Sequence, residues 1–597
     1  MTILQALDGY YKRLGKTVPS FGYSREKISY ALVLSPEGEV KDLLCLLEPS
    51  GKKPRPKLLE VPQAVKRTSG IKSNFLWDKT SYVLGVSRRE GERIAQEHAD
   101  FRATHETALA DAKDEGLVAL RGFISQWTPE QFYASRLFSS EMLDTNLVFR
   151  LGDEPSFIHK RPAARDLVAS RKTTTADQSG FCLVTGDTAP IVRLHTPIKG
   201  VQGAQTSGAA LVSFNLEAFE SFGKSQGNNA PVSERAAFGY GTALNALLER
   251  DSRNRLRIGD ATTVFWAEAD GVGEDAARAA EDAFARLADP PTNEQEARKV
   301  ADVLENIATG RPIKECVPEV RPETRFYVLG LAPNAARLSV RFWHRDDIGR
   351  LAKRIGQHWQ DLRIEPQPWK TPPAVWRLLC ETASQRKAEN IPPLLSGALM
   401  RAILTGNSYP RSLLATIVMR IRADREVNGL RAALCKAYLA RDFRLDFKKE
   451  DVPVALNRDE PNPAYRLGRL FAVLERVQRA GLGNVNATIR DRYFGSASAA
   501  PNVAFPMLIR NAKNHLKTIR GRRGRQGQRL ANWFEKEIGS ILDGLADTAF
   551  PRSLSLDDQG RFAIGYYQQH ESLHRGRRDD TLAVPRDADL DDREEGV

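Results

Sequence analysis

Phe326–Trp343, FYVLGLAPNAARLSVRFW, is where this chain changes character. On either side of its centre, Arg325–Leu331 and Leu338–Trp343 read as strands, dense in aromatic and aliphatic residues with a turn-forming Pro-Asn pair between them. After Trp343 no such run recurs. Helical periodicity takes over from Asp346 and is broken only at Pro366–Pro373 and Ile391-Pro392-Pro393. Upstream, Ile28–Leu34 alternates like a strand, Ser35-Pro36-Glu37-Gly38-Glu39 is a turn, and Val40–Leu47 runs back as a hairpin. Further strand-like runs are Ser81–Val86, Asn146–Leu151, Phe181–Thr185, Ile191–His195, Ala209–Phe214 and Thr262–Ala267. Helical patterns lie between them at Arg89–Ala112, Ser233–Arg250 and Glu274–Leu287.

The expected fold class is therefore α+β with a mixed or antiparallel sheet over residues 1–345, then all-α. A helical connecting region spans 346–455, and a Pro- and charge-rich hinge lies at Lys448–Pro463. Over 456–577, helices near Tyr465–Ala480, Ala504–Ile519, Gln526–Leu545 and Phe562–Arg575, joined by short links, suggest a four-helix bundle. Residues 578–597, rich in Asp, Glu and Arg, read as a disordered charged tail.

The chain has 597 residues, of which 41% are hydrophobic, enough for several packed domains. It has no apolar run of about 18 residues, and Met1–Arg13 lacks an apolar signal core. Neither membrane insertion nor secretion is expected. The five cysteines, Cys45, Cys182, Cys316, Cys380 and Cys435, are widely spaced and form no CxxC pair. Reduced thiols in a cytoplasmic protein, without zinc or disulfides, are the expectation. The net charge of +13 favours polyanionic partners, through release of counterions from phosphates.

Where that charge sits is more informative. Gly51–Thr80 holds eight basic residues against Glu60 and Asp78, with Pro54, Pro56 and Pro62 keeping the chain extended and Phe75 and Trp77 interleaved. Extended chain, cations and aromatic faces suit single-stranded or distorted nucleic acid. The alternative is a solvated basic loop whose aromatics plug the core. Leu194–Glu234 is rich in glycine and in uncharged amides and hydroxyls, among them Gln202, Gln205, Ser207, Asn228 and Asn229. Glycines let a backbone approach a ligand, and amides can read base edges or replace a displaced base. A plain Gly-rich hairpin is the competing reading. Phe505–Leu530 contains Arg510, Lys513, Lys517, Arg520, Arg522, Arg523, Arg525 and Arg529 and no acid. Its first three cations recur at helical spacing, as a face that tracks phosphates would require.

No catalytic pattern emerges. Gly223-Lys224-Ser225 resembles the end of a phosphate-binding loop, but Ala218 stands where the motif needs glycine. The nine histidines form no HExxH or Cys/His cluster. A metal-dependent nuclease would need clustered carboxylates, and none forms a compact motif. The chain is expected not to be an enzyme and to need no cofactor. A metal-dependent nuclease and a non-sequence-specific RNA-binding scaffold are the alternatives.

Val65–Val86, VKRTSGIKSNFLWDKTSYVLGV, closely resembles the large-subunit family of type I-C CRISPR Cascade complexes. So do Ile3–Leu14, Ile198–Asn215 with Lys224–Glu234, Phe326–Trp343, and NPAYRLGRLFAVLERVQ (Asn462–Gln478), in order and across nearly the whole length. The resemblance implies a subunit that contacts the 5′ handle of the crRNA, reads a protospacer-adjacent motif (PAM) in double-stranded target DNA and promotes R-loop formation. It implies assembly with Cascade backbone and handle-binding subunits, and recruitment of a separate helicase-nuclease. It also implies a C-terminal part that resembles the small subunit and is made separately from an internal translation start. Together, residues and resemblance assign PAM reading and strand opening to Lys199, Gln202, Gln205, Ser207, Asn228 and Asn229. Handle or backbone contacts fall to Lys66, Arg67, Lys72, Asn74 and Lys79, and the displaced single-stranded DNA to Arg510, Lys513, Lys517, Arg522 and Arg523.

Overall fold

Tyr30–Leu34 is buried along its whole length, because it is a central strand with neighbours on both edges. In this computed structural model it pairs antiparallel with Val40–Cys45, as the hairpin pattern predicts, and parallel with Asn146–Leu151. The structure describes residues 1–49, 54–65, 67, 70–173, 179–447, 449–483, 485–522, 524–545 and 549–575. Lys66, Arg523 and the charged tail lie outside the described residues.

The chain divides into two units. Unit 1 comprises Met1–Lys199 and Ser207–Ala246; unit 2 comprises Gly200–Thr206 and everything from Leu247 onward. Unit 1 holds a four-stranded mixed sheet, completed by the short strand Asp78–Lys79, and a three-stranded antiparallel sheet of Tyr23–Ile28, Arg55–Pro62 and Leu47–Glu48. Helices Glu92–Ala108 and Glu115–Gln126 cover the mixed sheet with Phe101, Leu120 and Phe123, which meet Leu32, Leu34 and Phe149 in one core. Each fully buried side chain of this kind contributes about 2 kcal/mol.

Four strand expectations in unit 1 are corrected. Ser81–Val86 is not a strand: Asp78–Lys79 takes the ladder position beside Asn146–Leu147, and Thr80–Val83 then turns as a short helix. The run is apolar without alternation, so burial alone could not separate helix from strand. Ile191–His195 and Ala209–Phe214 make single bridges, to Ser233 and Ile198, rather than ladders. Pro190, Pro197, Gly200 and Gly208 interrupt them. Phe181–Thr185 contributes only the end of a strand, Ser179–Phe181.

Unit 2 opens with a four-stranded antiparallel sheet in sequence order: Arg255–Ile258, Ala261–Ala267, Arg325–Asn334 and Arg337–Asp347. Helices Glu274–Ala288 and Glu294–Ala308 are inserted between its second and third strands, and Phe284 packs at a tilt on the stacked pair Phe265 and Phe326 where helix meets sheet. From Ile348 onward the described residues are helical or irregular. An ion pair inside this region, Arg441 to Asp361 at 2.6 Å, is withdrawn from solvent, with the Arg441 guanidinium lying 4.3 Å over the Tyr409 ring. Leaving either partner alone there would strand a buried charge.

The C-terminal end has five helices among the described residues: Pro463–Leu482, Ile489–Ala499, Pro501–Arg522, Gly524–Asp543 and Leu556–Arg575. Ile489–Ala499 was not among the four expected; its weak amphipathic pattern hides it. Gly468 lets the first and last of these helices touch, since a Cβ there would lie 2.0 Å from the Phe562 carbonyl oxygen. Leu556–Arg575 also packs Gly560 against Leu414, Cys435 and Leu439, so these helices share one core with Arg411–Leu445. No helix among the described residues is long and apolar enough to cross a membrane.

Candidate nucleic-acid interface

The first segment separates into residues that build and residues that face solvent. Arg67 bonds the carboxylate of Asp78, donates from Nε to the Lys72 carbonyl at 2.6 Å, and lies 4.0 Å over the Tyr82 ring. Burial raises the Asp78 carboxyl above its usual range even though Arg67 pulls it down. Asn74 is buried: its Oδ1 accepts from the Val65 N–H at 2.9 Å and its own N–H donates to Asp78 at 2.7 Å. Both residues therefore shape the loop from within. Lys72 and Lys79 are exposed and present ammonium groups to solvent. The aromatics follow the core-plug alternative. Trp77 is buried with Nε1 donating to the Pro62 carbonyl at 2.7 Å, and Phe75 stacks on His105 and has the Arg171 guanidinium 4.5 Å from its ring centre.

The second segment is shared between the units, and each part has its own anchors. In unit 2, Gly200–Thr206 is fixed by its backbone: the Gln202 N–H donates to Thr262 Oγ1 at 3.1 Å, and Gly203 sits against the Pro333 ring. The side chains of Gln202 and Gln205 are exposed, and neither amide is engaged among the described residues. In unit 1, the Lys199 N–H donates to Asn245 Oδ1 at 2.8 Å, leaving the ammonium exposed; Ser207 is exposed as well. Asn245, on the helix Glu234–Leu247, was not singled out from sequence; an amide on an otherwise apolar helix face was the available signal.

Asn228 is half-buried. The Asn229 amide is spent on the loop: Nδ2 donates to the carbonyls of Lys224 (2.8 Å) and Gln226 (3.0 Å), and Oδ1 accepts from the Ser221 N–H (3.0 Å). It can hold the loop but has no amide hydrogen left for a base. Gly227 is obligatory, because a Cβ would come within 2.3 Å of the Val192 carbonyl oxygen. Nearby, Cys182 is buried. Burial raises its thiol, but donors from Ser233 and Thr185 outweigh this and bring it to about 7.

The third segment forms the helix Pro501–Arg522. Ala504, Leu508, Ala512, Leu516 and Ile519 are buried, and Arg510, Lys513 and Lys517 project from the opposite face. Among the described residues, none of these three makes an ion pair. Arg520 bonds Glu535, and Arg522 donates to the Gly481 carbonyl at 2.9 Å, capping the end of Pro463–Leu482. The free basic face is thus narrower than the charge count implies. Among the described residues, no group of three or more His, Cys, Asp or Glu side chains is placed to hold a metal ion.

Residues 7–574 match the family described as CRISPR-associated protein (Cas_Csd1). No curated protein matches the chain. With almost the full length covered, the chain belongs to the CRISPR-associated Cas_Csd1 family, the large-subunit family of type I-C Cascade.

Proposed function

We propose that this subunit reads the PAM of a DNA duplex, starts strand separation beside it and steadies the resulting R-loop, without catalysing a reaction itself. The observation that carries the reading is the loop Gly200–Thr206: its backbone is pinned at Gln202, while the amides of Gln202 and Gln205 stand free at the surface. A preorganised backbone with unspent donor–acceptor groups suits base edges, since an amide can bond an adenine edge at two points. In unit 1, Lys199 and Ser207 are exposed groups suited to phosphate, and Asn229 keeps its own loop in shape.

Lys72 and Lys79 are the exposed cations suited to the crRNA 5′ handle, with Arg67 and Asn74 holding the segment that carries them. Arg510, Lys513 and Lys517 suit the displaced strand, where charge without sequence preference is what is needed. Guide pairing exchanges one duplex for another at little net cost, so such modest contacts can tip it. The partners in this scheme are crRNA, target DNA, the Cascade backbone and handle-binding subunits, a small subunit from an internal start near the Lys448–Pro463 hinge, and a recruited helicase-nuclease, all in the cytoplasm.

The test is binding of duplex targets by the crRNA-loaded complex with every base flanking the target site varied. Capture that depends on those bases and on this subunit supports the reading; indifference to both removes it. Incubating the purified chain with labelled nucleic acid and divalent metal tests the non-catalytic part, and specific cleavage would overturn it.

A further inference from the structure

From Pro501 to Phe534 the chain contains no Asp or Glu. Two helices of unit 2 carry this stretch, Pro501–Arg522 and Gly524–Asp543. Some of its cations are spent within the fold: Arg520 bonds Glu535, and Arg522 donates to the Gly481 carbonyl. Others are not. Arg510, Lys513 and Lys517 on the first helix are exposed and make no ion pair among the described residues; the same holds for Arg525 and Arg529 on the second. Cations three or four positions apart on a helix repel one another, and ordinary surfaces offset this by interleaving acids. Here none is interleaved, so the counter-charge must come from elsewhere.

The chain carries such a counter-charge. Asp587–Glu595, DADLDDREE, sets six acids against one arginine and is the densest acidic run in the sequence. It follows the last described helix, Leu556–Arg575, whose Phe562 meets Phe505 of the basic helix with ring centres 6.4 Å apart. Along the helix axes, Arg575 lies about 20 Å from Phe562 and Lys513 about 12 Å from Phe505. Even if the two helices diverged from that contact, the span would be about 38 Å. The twelve residues Gly576–Asp587 extend to about 40 Å. The acids therefore reach the cations without any rearrangement of the described residues.

We propose that Asp587–Glu595 docks on the face of Arg510, Lys513 and Lys517 in the free protein, as a tethered polyanion that a nucleic-acid strand must expel. A tether of this length gives the segment an effective concentration in the millimolar range, so weak contacts fill the face without barring a longer strand. Random nucleic acid is thereby kept off a surface that has no sequence preference of its own. The proposal rests on the reading of this face as a strand site and adds its regulation.

The test compares the full-length chain with a variant carrying Asp587→Asn, Asp589→Asn, Asp591→Asn, Asp592→Asn, Glu594→Gln and Glu595→Gln. Binding of a fluorescent oligothymidylate is read by anisotropy. Neutralising the tail is expected to tighten binding on the order of tenfold at low salt, with the gain fading as salt rises. In a chain that also carries Arg510→Gln, Lys513→Gln and Lys517→Gln, the same neutralisation is expected to gain less than about twofold. Unchanged affinity on neutralising the tail overturns the proposal. So does an equal gain in the triple-Gln chain, which would mean diffuse repulsion instead of a docked segment. Self-association of the wild-type chain in sedimentation, abolished by neutralisation, also overturns it and places the tail on a second copy. If the three Gln substitutions leave oligonucleotide binding of the neutralised chain unchanged, the reading of the face as a strand site fails. If they weaken it while neutralisation alone gains nothing, only the tail contact fails.

Discussion

Across 2.8 Å, the backbone N–H of Leu76 donates to Nε2 of His105. Leu76 has φ of 63°, a strained value for a branched residue, and this bond holds it there. Nδ1 faces the Phe101 carbonyl at 2.8 Å, so the ring is neutral with its proton on Nδ1. Burial drives the His105 pKa from 6.5 down to about 4; Arg171 adds to this, while the Phe101 carbonyl and Asp100 oppose it. An unfolded histidine takes up a proton near pH 6.5, whereas the folded one resists until about 4. The stability is therefore intact above pH 6.5 and is lost as pH falls towards 4. Burial brings His159 to about 3, with the same sign. Thermal melting of the chain is expected to drop steadily between pH 7 and pH 5, and His105→Gln to reduce that slope by about one proton. A melting temperature flat over this window would contradict the assignment.

Arg67 and the exposed lysines of its segment are expected to separate cleanly on mutation. Arg67→Ala leaves the buried Asp78 carboxylate unpaired and should cost about 3 kcal/mol in denaturant titration. Adding Asp78→Asn should recover much of it. Lys72→Ala with Lys79→Ala should leave stability within about 0.5 kcal/mol while weakening crRNA binding. Equal stability losses in both variants would show that the lysines are structural too.

Gln202→Ala with Gln205→Ala is expected to weaken duplex capture by about 10- to 100-fold. Targets already unpaired beside the motif should lose far less. Parallel losses on both substrates would mean that the glutamines hold nucleic acid generally instead of reading a duplex.

On the helix Pro501–Arg522, replacing Arg510, Lys513 and Lys517 by Gln is expected to flatten the salt dependence of R-loop stability. Single-strand contacts contribute about 0.7 to the logarithmic slope per neutralised phosphate, so the three together should remove about 2. Arg522→Gln, which loses the cap on Gly481, should instead lower the melting temperature. An unchanged salt slope in the triple variant would take this face out of the path of the displaced strand.

The strand–helix division was legible at Phe326–Trp343 because hydrophobic density and turn residues agree there. Ser81–Val86 was not, since a buried run without alternation satisfies either geometry. At the interface, sequence located the charged and amide-rich segments but could not apportion them. Nothing in the order of residues reveals that Arg67 meets Asp78 eleven positions later, or that the Asn229 amide is consumed by three backbone partners.

Unit 2 is not a continuous piece of chain: Gly200–Thr206 belongs to it although both flanks belong to unit 1. Gene dissection at Ala246 would strip those seven residues from the ends of the two central strands, where Thr262 and Pro333 receive them. A clone starting at Leu247 would thus purify without Gln202 and Gln205 and the surface they present. Supplying Gly200–Thr206 as a free peptide, or grafting it ahead of Leu247 through a flexible spacer, is the way to recover that surface in isolation.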